Sequence, residues 1–252
     1  MPEGSGLLRR ALVRMNLEVK RRHHAPFGVR WHDDVGFYLQ GRPLGVAFDV
    51  GAHRGETALK LLSAFPGVEV HSFEPLPENF AALAEATVGR GVRTVNAAVS
   101  DRSGTARIAR GEASYQTSVH GSGEKLDVPA VTVDEYARER GVGRIDLLKI
   151  DTEGHEEAVL RGAMGQLEQG TVEFVVCECE FTPRPEEPHA DFRAVQDLLG
   201  PLGYRVVSFY TGGVDNIGWI WGDVLFRHAP GERDRSSGSL SPHTERRILG
   251  FW

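Results

Sequence analysis

From Ala47 onward the chain repeats one unit: a short apolar run, a turn, then a segment with helical periodicity. That rhythm restricts the fold more than any other feature of the sequence. Ala47-Phe48-Asp49-Val50 reads as a buried strand, Gly51 to Gly55 as a turn, and Thr57 to Phe65 as a helix stopped by Pro66-Gly67. Val68 to Phe73 forms a second strand, and a helix follows from Pro77 through Phe80, Leu83 and Ala84. A third strand begins near Val92 and continues through Val95 towards Val99. Val131 to Tyr136 leads into a small helix, and strands return at Ile145 to Ile150, Val172 to Cys179, Tyr204 to Phe209 and Val224 to Phe226. Helices are expected around Glu156 to Leu167 and Phe192 to Leu199. Strands separated by single helices pair in parallel and need both faces covered, so the expected class is α/β, a mostly parallel sheet with helices on both faces. Thr105 to Ile108 reads as a short edge strand, and the Gly-, Ser- and Thr-rich stretch Gly111 to Lys125 as a mobile loop.

A length of 252 residues suits one α/β core with additions. Residues 1–43 are expected to be an N-terminal helical or cover extension, with an amphipathic helix over Leu7 to Arg22 and a cover segment over Trp31 to Arg42. Residues 44–228 are expected to form the main α/β domain, and 229–252 a flexible tail rich in Pro, Gly, Ser and charge. Its last residues, Ile248-Leu249-Gly250-Phe251-Trp252, are apolar enough to dock on the domain or to make a homodimer contact, with a disordered end as the alternative. Lysine and arginine total 29 against 35 acidic residues, a net charge of -6 that gives no broad positive field for nucleic acid. The start lacks an export signal and no apolar run is long enough to cross a bilayer, so cytoplasmic residence is expected. Cys177 and Cys179 share one orientation on a strand and offer no disulfide framework; buried free thiols are expected.

Chemistry concentrates at the expected carboxyl ends of the strands. Gly51 and Gly55 flank a strand-to-helix turn where backbone can approach a ligand closely. Glu74 closes the next strand, where one carboxylate can accept two hydrogen bonds from a ribose diol. Asp151, Glu153 and His155 follow the strand ending at Ile150 at intervals of two, with Glu156 beside them. Carboxylate or imidazole groups there suit proton abstraction, and capping of the following helix is the structural alternative. Glu178 and Glu180 end the neighbouring strand; with Asp151 they form a hard-oxygen set suited to Mg2+ or Ca2+, satisfied strand-edge carboxylates being the alternative.

Phe48-Asp49-Val50-Gly51-Ala52-His53-Arg54-Gly55, Phe73-Glu74-Pro75, Asn79, Asn96-Ala97-Ala98-Val99-Ser100 and Leu148-Lys149-Ile150-Asp151-Thr152-Glu153-Gly154-His155-Glu156 together resemble the FkbM family of S-adenosylmethionine (SAM) dependent methyltransferases. The resemblance runs from about Phe48 to Phe226, with His53 where many relatives have asparagine and Thr152 where many have valine. It implies a Rossmann-like class I methyltransferase with a seven-stranded sheet. It also implies that Asp49, Gly51 and Gly55 line the methionine end of the cofactor, that Glu74 holds the ribose, and that Asn96 or its backbone neighbours lie near adenine. From the residues themselves, Asp49 could instead cap the turn and Asn96 satisfy a local loop.

The expected reaction is O-methylation of a hydroxyl on a sugar, polyketide or related secondary metabolite. Asp151 would act as base or organiser of the acceptor, His155 standing second. N-methylation of an amine or peptide amide and a noncatalytic SAM-binding module are the alternatives. Hydride transfer is disfavoured because the first turn lacks Gly-x-Gly-x-x-Gly. Tyr115, Gln116, Thr117, Ser118 and His120 are candidates to close over a small-molecule acceptor, and Tyr210, Asn216, Trp219 and Trp221 to shape its pocket.

Overall fold

Two strands whose every residue is buried, Ile145–Ile150 and Val172–Glu180, form the middle of the sheet, as a parallel sheet covered on both faces requires. The computed structural model describes residues 27–110, 117–118, 124–182, 190–214 and 218–229. In chain order these form α1 (Trp31–Leu39), β1 (Val46–Val50), α2 (Glu56–Ala64), β2 (Glu69–Phe73), α3 (Pro77–Thr87), β3 (Val92–Val95), β4 (Ala98–Val99), β5 (Gly104–Arg110), β6 (Thr117–Ser118) and β7 (Lys125–Val131). The second half adds α4 (Val133–Arg140), β8 (Ile145–Ile150), α5 (Glu156–Arg161), α6 (Met164–Glu168), β9 (Val172–Glu180), α7 (Phe192–Leu199), β10 (Tyr204–Val214) and β11 (Trp219–His228).

The main sheet has seven strands in the order β10-β11-β9-β8-β1-β2-β3. All neighbours are parallel except β11, which is antiparallel to both β9 and β10. One core, on the face covered by α4 to α7, includes Val133, Tyr136, Leu160, Leu167, Val195 and Leu199. The other, beneath α1 and α2, includes Trp31, Val35, Leu39, Ala58 and Leu61. From β1 the chain moves outward through β2 and β3, then returns to place β8 on β1's other side. Such a reversal opens a crevice at the carboxyl ends of β1 and β8.

The structure corrects three local expectations. The third strand stops at Val95 because Asn96 turns the chain, its Nδ2 donating to the carbonyls of Glu74 (2.8 Å) and Pro75 (3.1 Å). Ala98–Val99 then joins a second sheet, ordered β4-β7-β5-β6, so Thr105 to Ile108 is no edge of the main sheet and part of the expected loop is strand. The Glu156 to Leu167 helix is split into α5 and α6. A Cβ at Gly162 would overlap the Ser100 carbonyl oxygen, and Asp134 caps α6 by accepting from the Gly165 and Gln166 amides at 2.7 and 2.9 Å.

Tyr210, expected in the acceptor pocket, is instead buried, its hydroxyl donating to Asp34 Oδ2 at 2.6 Å. Asp34 also accepts from the Gly28 amide, so this pair fastens α1 to β10. Tyr210→Phe leaves the buried carboxylate short of a donor and is expected to cost about 1–3 kcal/mol. A urea midpoint unchanged from the parent protein would show that the contact carries no stability.

Leu7 to Arg22, Tyr115, Gln116, His120, Asn216 and the terminal apolar stretch lie outside the described residues, as do the side chains of Thr117, Ser118 and Trp219. Among the described residues no helix is long and apolar enough to cross a membrane. Both cysteines are buried and unpaired, as expected.

Candidate active site

The crevice holds a cavity of about 390 Å3, lined at the strand ends by Val50, Gly51, Glu74 and Asp151, and by Ala98, Val99 and Ile108 of the second sheet. The second sheet therefore walls the site, a role not visible in local sequence. Its own small core of Leu76, Ala98, Ile108 and Val128 holds that wall in place.

Glu74 is 3% exposed and pinned by two backbone amides, His53 N–H to Oε2 and Leu76 N–H to Oε1, each 2.9 Å. Glu74 lines the cavity, and a carboxylate, with about four lone-pair sites, keeps capacity to accept from a diol there. Burial pushes its pKa up to about 7, against the opposing pull of the two amides. His53 supplies its amide from a left-handed backbone, φ 50°, an unusual conformation for a non-glycine residue in a turn that shapes a site.

Gly51 also lines the cavity, at φ 83°. A Cβ there would overlap the Asp151 carbonyl oxygen, so glycine is what lets the β1 and β8 turns touch. Gly55 stands behind the wall, preceding α2 at φ 96° and packed near Leu83 of α3. Asp49 departs from its expected place along the cofactor. It is 1% exposed, accepts from Ser72 Oγ at 3.1 Å, and is not among the lining residues. Strand alternation turns its side chain into the sheet face shared with Lys149, its register partner, and burial raises its pKa to about 7 in spite of that lysine. Asn96 likewise spends its amide on the Glu74 and Pro75 carbonyls, while its neighbours Ala97 and Ala98 line the cavity.

The turn after β8 brings Asp151, Thr152, Glu153 and His155 to the cavity together. Glu156, fully buried, organises that turn by accepting from the Thr152 amide (2.9 Å), the Thr152 hydroxyl (3.0 Å) and the Gly154 amide (3.1 Å). Glu153 and Gly154 both take left-handed backbone, φ 53° and 102°. His155 Nε2 lies 2.9 Å from Ser100 Oγ.

Lys149 is the residue that sequence reasoning left without a role. Buried in β8, it places Nζ 3.0 Å from Asp151 Oδ2 and 3.1 Å from Asp223 Oδ1. Burial opposes its charge, yet Asp151, Asp223 and Glu178 together hold its pKa well above the usual lysine value. A lone lysine inside the apolar run Ile145-Asp146-Leu147-Leu148-Lys149-Ile150 was the available signal, because a buried ammonium demands carboxylate partners. Burial and the adjoining Asp151 charge push Glu178 up to about 10, so it carries a proton near neutral pH.

Asp151, Glu153 and Glu178 lie with ligand atoms within 4.8 Å of one another, close enough to share a divalent cation. Glu180 falls outside this group, and Glu153 takes its place. Two residues further along β9, Glu180 sits about 6–7 Å beyond Glu178, opposite Trp221 rather than Asp223. Lys149 and the Glu178 proton already offset the charge of these carboxylates. Trp221, proposed for the acceptor pocket, packs its ring against Gly212 and Gly213 of β10.

The sequence pattern of the methyltransferase FkbM domain matches residues 49–206. The 31-O-demethyl-FK506 methyltransferase FkbM of Streptomyces tacrolimicus is 34% identical over 156 residues, 48% of this chain and 60% of that protein. The chain thus spans less than two thirds of that relative's length. The 2-O-methyltransferase NoeI of Sinorhizobium fredii is 26% identical over 212 residues, 75% of this chain and 82% of that protein. Among solved structures, magnesium protoporphyrin IX methyltransferase from Synechocystis PCC 6803 aligns over 91% of this chain and 99% of its own, at 11% identity and a TM-score of 0.47. With the family pattern covering more than half of its residues, the chain belongs to the FkbM family of SAM-dependent methyltransferase domains.

Proposed function

We propose that this chain transfers a methyl group from SAM to a hydroxyl of a small sugar, polyketide or related secondary metabolite. The observation that carries this reading is a single cavity lined at once by Glu74, Asp151 and His155. Both curated relatives are named for transfer to oxygen, which supports a hydroxyl acceptor over an amine.

When bound, SAM supplies a methyl carbon made electrophilic by its sulfonium. Glu74 would accept the two ribose hydroxyls, and the glycine turn at Gly51 admits the cofactor close to backbone. Asp151, its charge committed to Lys149 at 3.0 Å, would accept a hydrogen bond from the acceptor hydroxyl and orient it. His155 would take the hydroxyl proton as the oxygen attacks. Holding the acceptor in line by such contacts converts a chance encounter into an intramolecular step.

Calorimetry with SAM, and with NAD as control, tests the cofactor part, followed by acceptor trials on sugar and polyketide hydroxyls. Above pH about 7, Glu74→Gln is expected to weaken SAM binding by about 10- to 100-fold, since it removes a charged hydrogen-bond acceptor. The free-protein carboxyl gains its proton as pH falls through about 7. SAM affinity is therefore expected to drop below that pH. Asp49 titrates in the same window, so loss of the pH dependence in Glu74→Gln assigns it to Glu74. Equal SAM affinity in parent and variant would remove the ribose role.

A further inference from the structure

The end of the sheet opposite the active-site crevice carries a second cavity, of about 400 Å3, lined by Arg42, Arg144, Gly170, Glu173 and His228. Arg42 precedes β1, Arg144 immediately precedes β8, and Glu173 is the second residue of β9, so the cavity sits at the amino-terminal edge of the parallel strands. β11 runs antiparallel to β9, which brings its last residue, His228, to the same edge. Charges there do not balance. Arg42 Nη2 lies 2.9 Å from both oxygens of the buried Glu173, and Arg144 Nη2 lies 2.5 Å from Oε2. Arg227, held over the Tyr38 ring, approaches the same carboxylate at 3.9 Å. Asp146 accepts from Arg144 Nε at 2.8 Å with one oxygen and from the Gly45 and Val46 amides with the other. Three guanidiniums thus face two carboxylates whose oxygens are all engaged, a local positive excess in a chain of net charge -6. Donors are in excess as well. A guanidinium has five N–H donors, yet among the described residues Arg42 spends only Nη2, and Arg144 only Nε and Nη2. Arg227 Nε is buried with no hydrogen-bond partner.

We infer that this cavity is a second binding site, built for a small oxyanion of the phosphate class. Glu173 acts as the spacer of the site: by accepting from Arg42 and Arg144 together it holds two guanidinium groups at one point of the sheet edge. Their unspent N–H donors suit a ligand with several acceptor oxygens, because a guanidinium fork binds phosphate through paired N–H groups. His228, set against the Tyr204 ring with centroids 5.0 Å apart, adds an imidazole N–H to the lining. Gly170 is what admits that ring: it stands at φ 66°, and any Cβ there would overlap the imidazole. None of the five lining residues belongs to the active-site cavity, so this site is separate from the cofactor crevice.

Inorganic phosphate is the probe. Calorimetry on the full chain, at constant ionic strength set with sodium chloride so that diffuse screening is held fixed, is expected to show saturable binding and a matching rise in the thermal midpoint. The Arg42 side chain is half exposed, so Arg42→Gln is expected to keep the fold. Phosphate affinity in that variant is expected to fall at least about tenfold, the size of a lost charged hydrogen bond. Arg42→Lys is expected to recover only part of it, since lysine keeps the charge without the fork. Glu74→Gln, altered in the other cavity, is expected to bind phosphate as the parent does. Glycerol 3-phosphate binding as tightly as inorganic phosphate would identify a phosphate monoester as the ligand, and binding of inorganic phosphate alone the free ion; either upholds the site. No saturable binding in the parent, or equal affinity in parent and Arg42→Gln, would overturn the inference.

Discussion

Replacing His155 with glutamine is expected to slow methyl transfer by about 10²–10⁴-fold, the range a positioned general base supplies, while SAM binds as before. His155 shares the cavity with Glu74 and Asp151, and its Nε2 lies 2.9 Å from Ser100 Oγ. Removing it takes away a proton acceptor and leaves the cofactor end of the site untouched. Asp151→Asn is expected to act differently, lowering turnover and raising the acceptor KM together, because it alters how the hydroxyl is held before as well as during transfer. Release of S-adenosylhomocysteine in the presence of acceptor reads both effects. A His155→Gln protein working within about threefold of the parent, far short of the loss expected for a general base, would move the proton to another group.

The second large effect is on stability. Lys149→Met is expected to cost about 3 kcal/mol, at the lower end of the range for breaking a buried ion pair by removing one partner. The lower end applies because Asp151 and Asp223, with side chains 39% and 25% exposed, keep part of their hydration, whereas Lys149 is 3% exposed. The loss arises less from the missing attraction than from carboxylates left packed together beside Glu178. Asp223→Asn in the Lys149→Met background is accordingly expected to recover part of the stability. Urea unfolding measures both, and a single-variant cost below about 0.5 kcal/mol, the size of an ordinary surface change, would show that Lys149 is not the keystone of this charge cluster.

Much of this arrangement is local and can be read directly. The apolar runs at Ala47–Val50, Ile145–Ile150 and Val172–Cys179 announce strands buried on both faces, because only such strands need so little polarity. Gly51 in a tight turn and Glu74 at a strand end are likewise properties of a few adjacent residues, and both line the cavity. Asp151 and Glu178 also meet, since Asp151 directly follows β8 and Glu178 lies near the end of β9 beside it. For Asp49 and Asn96 a motif position says which residue is near a site, while the partner that takes its side chain comes from elsewhere in the chain. Ser72 takes Asp49, and the Glu74 and Pro75 carbonyls take Asn96.

The remaining features depend on pairing between distant segments. Asp223 reaches Lys149 only because β11 runs antiparallel to β9 in the register that sets it opposite Glu178. Shifting that register by one residue would turn Asp223 to the other face. The second sheet, the choice of Glu153 over Glu180 and the Ser100–His155 contact have the same origin. By itself the sequence determined the kinds of element, their order and the strand ends where chemistry gathers, because hydrophobic period and turn residues act over a few neighbours. Tertiary structure alone decided which side chains share a face, which carboxylates are offset by Lys149 and which hydroxyl meets His155, because these follow from register and close backbone approach between segments far apart in the chain.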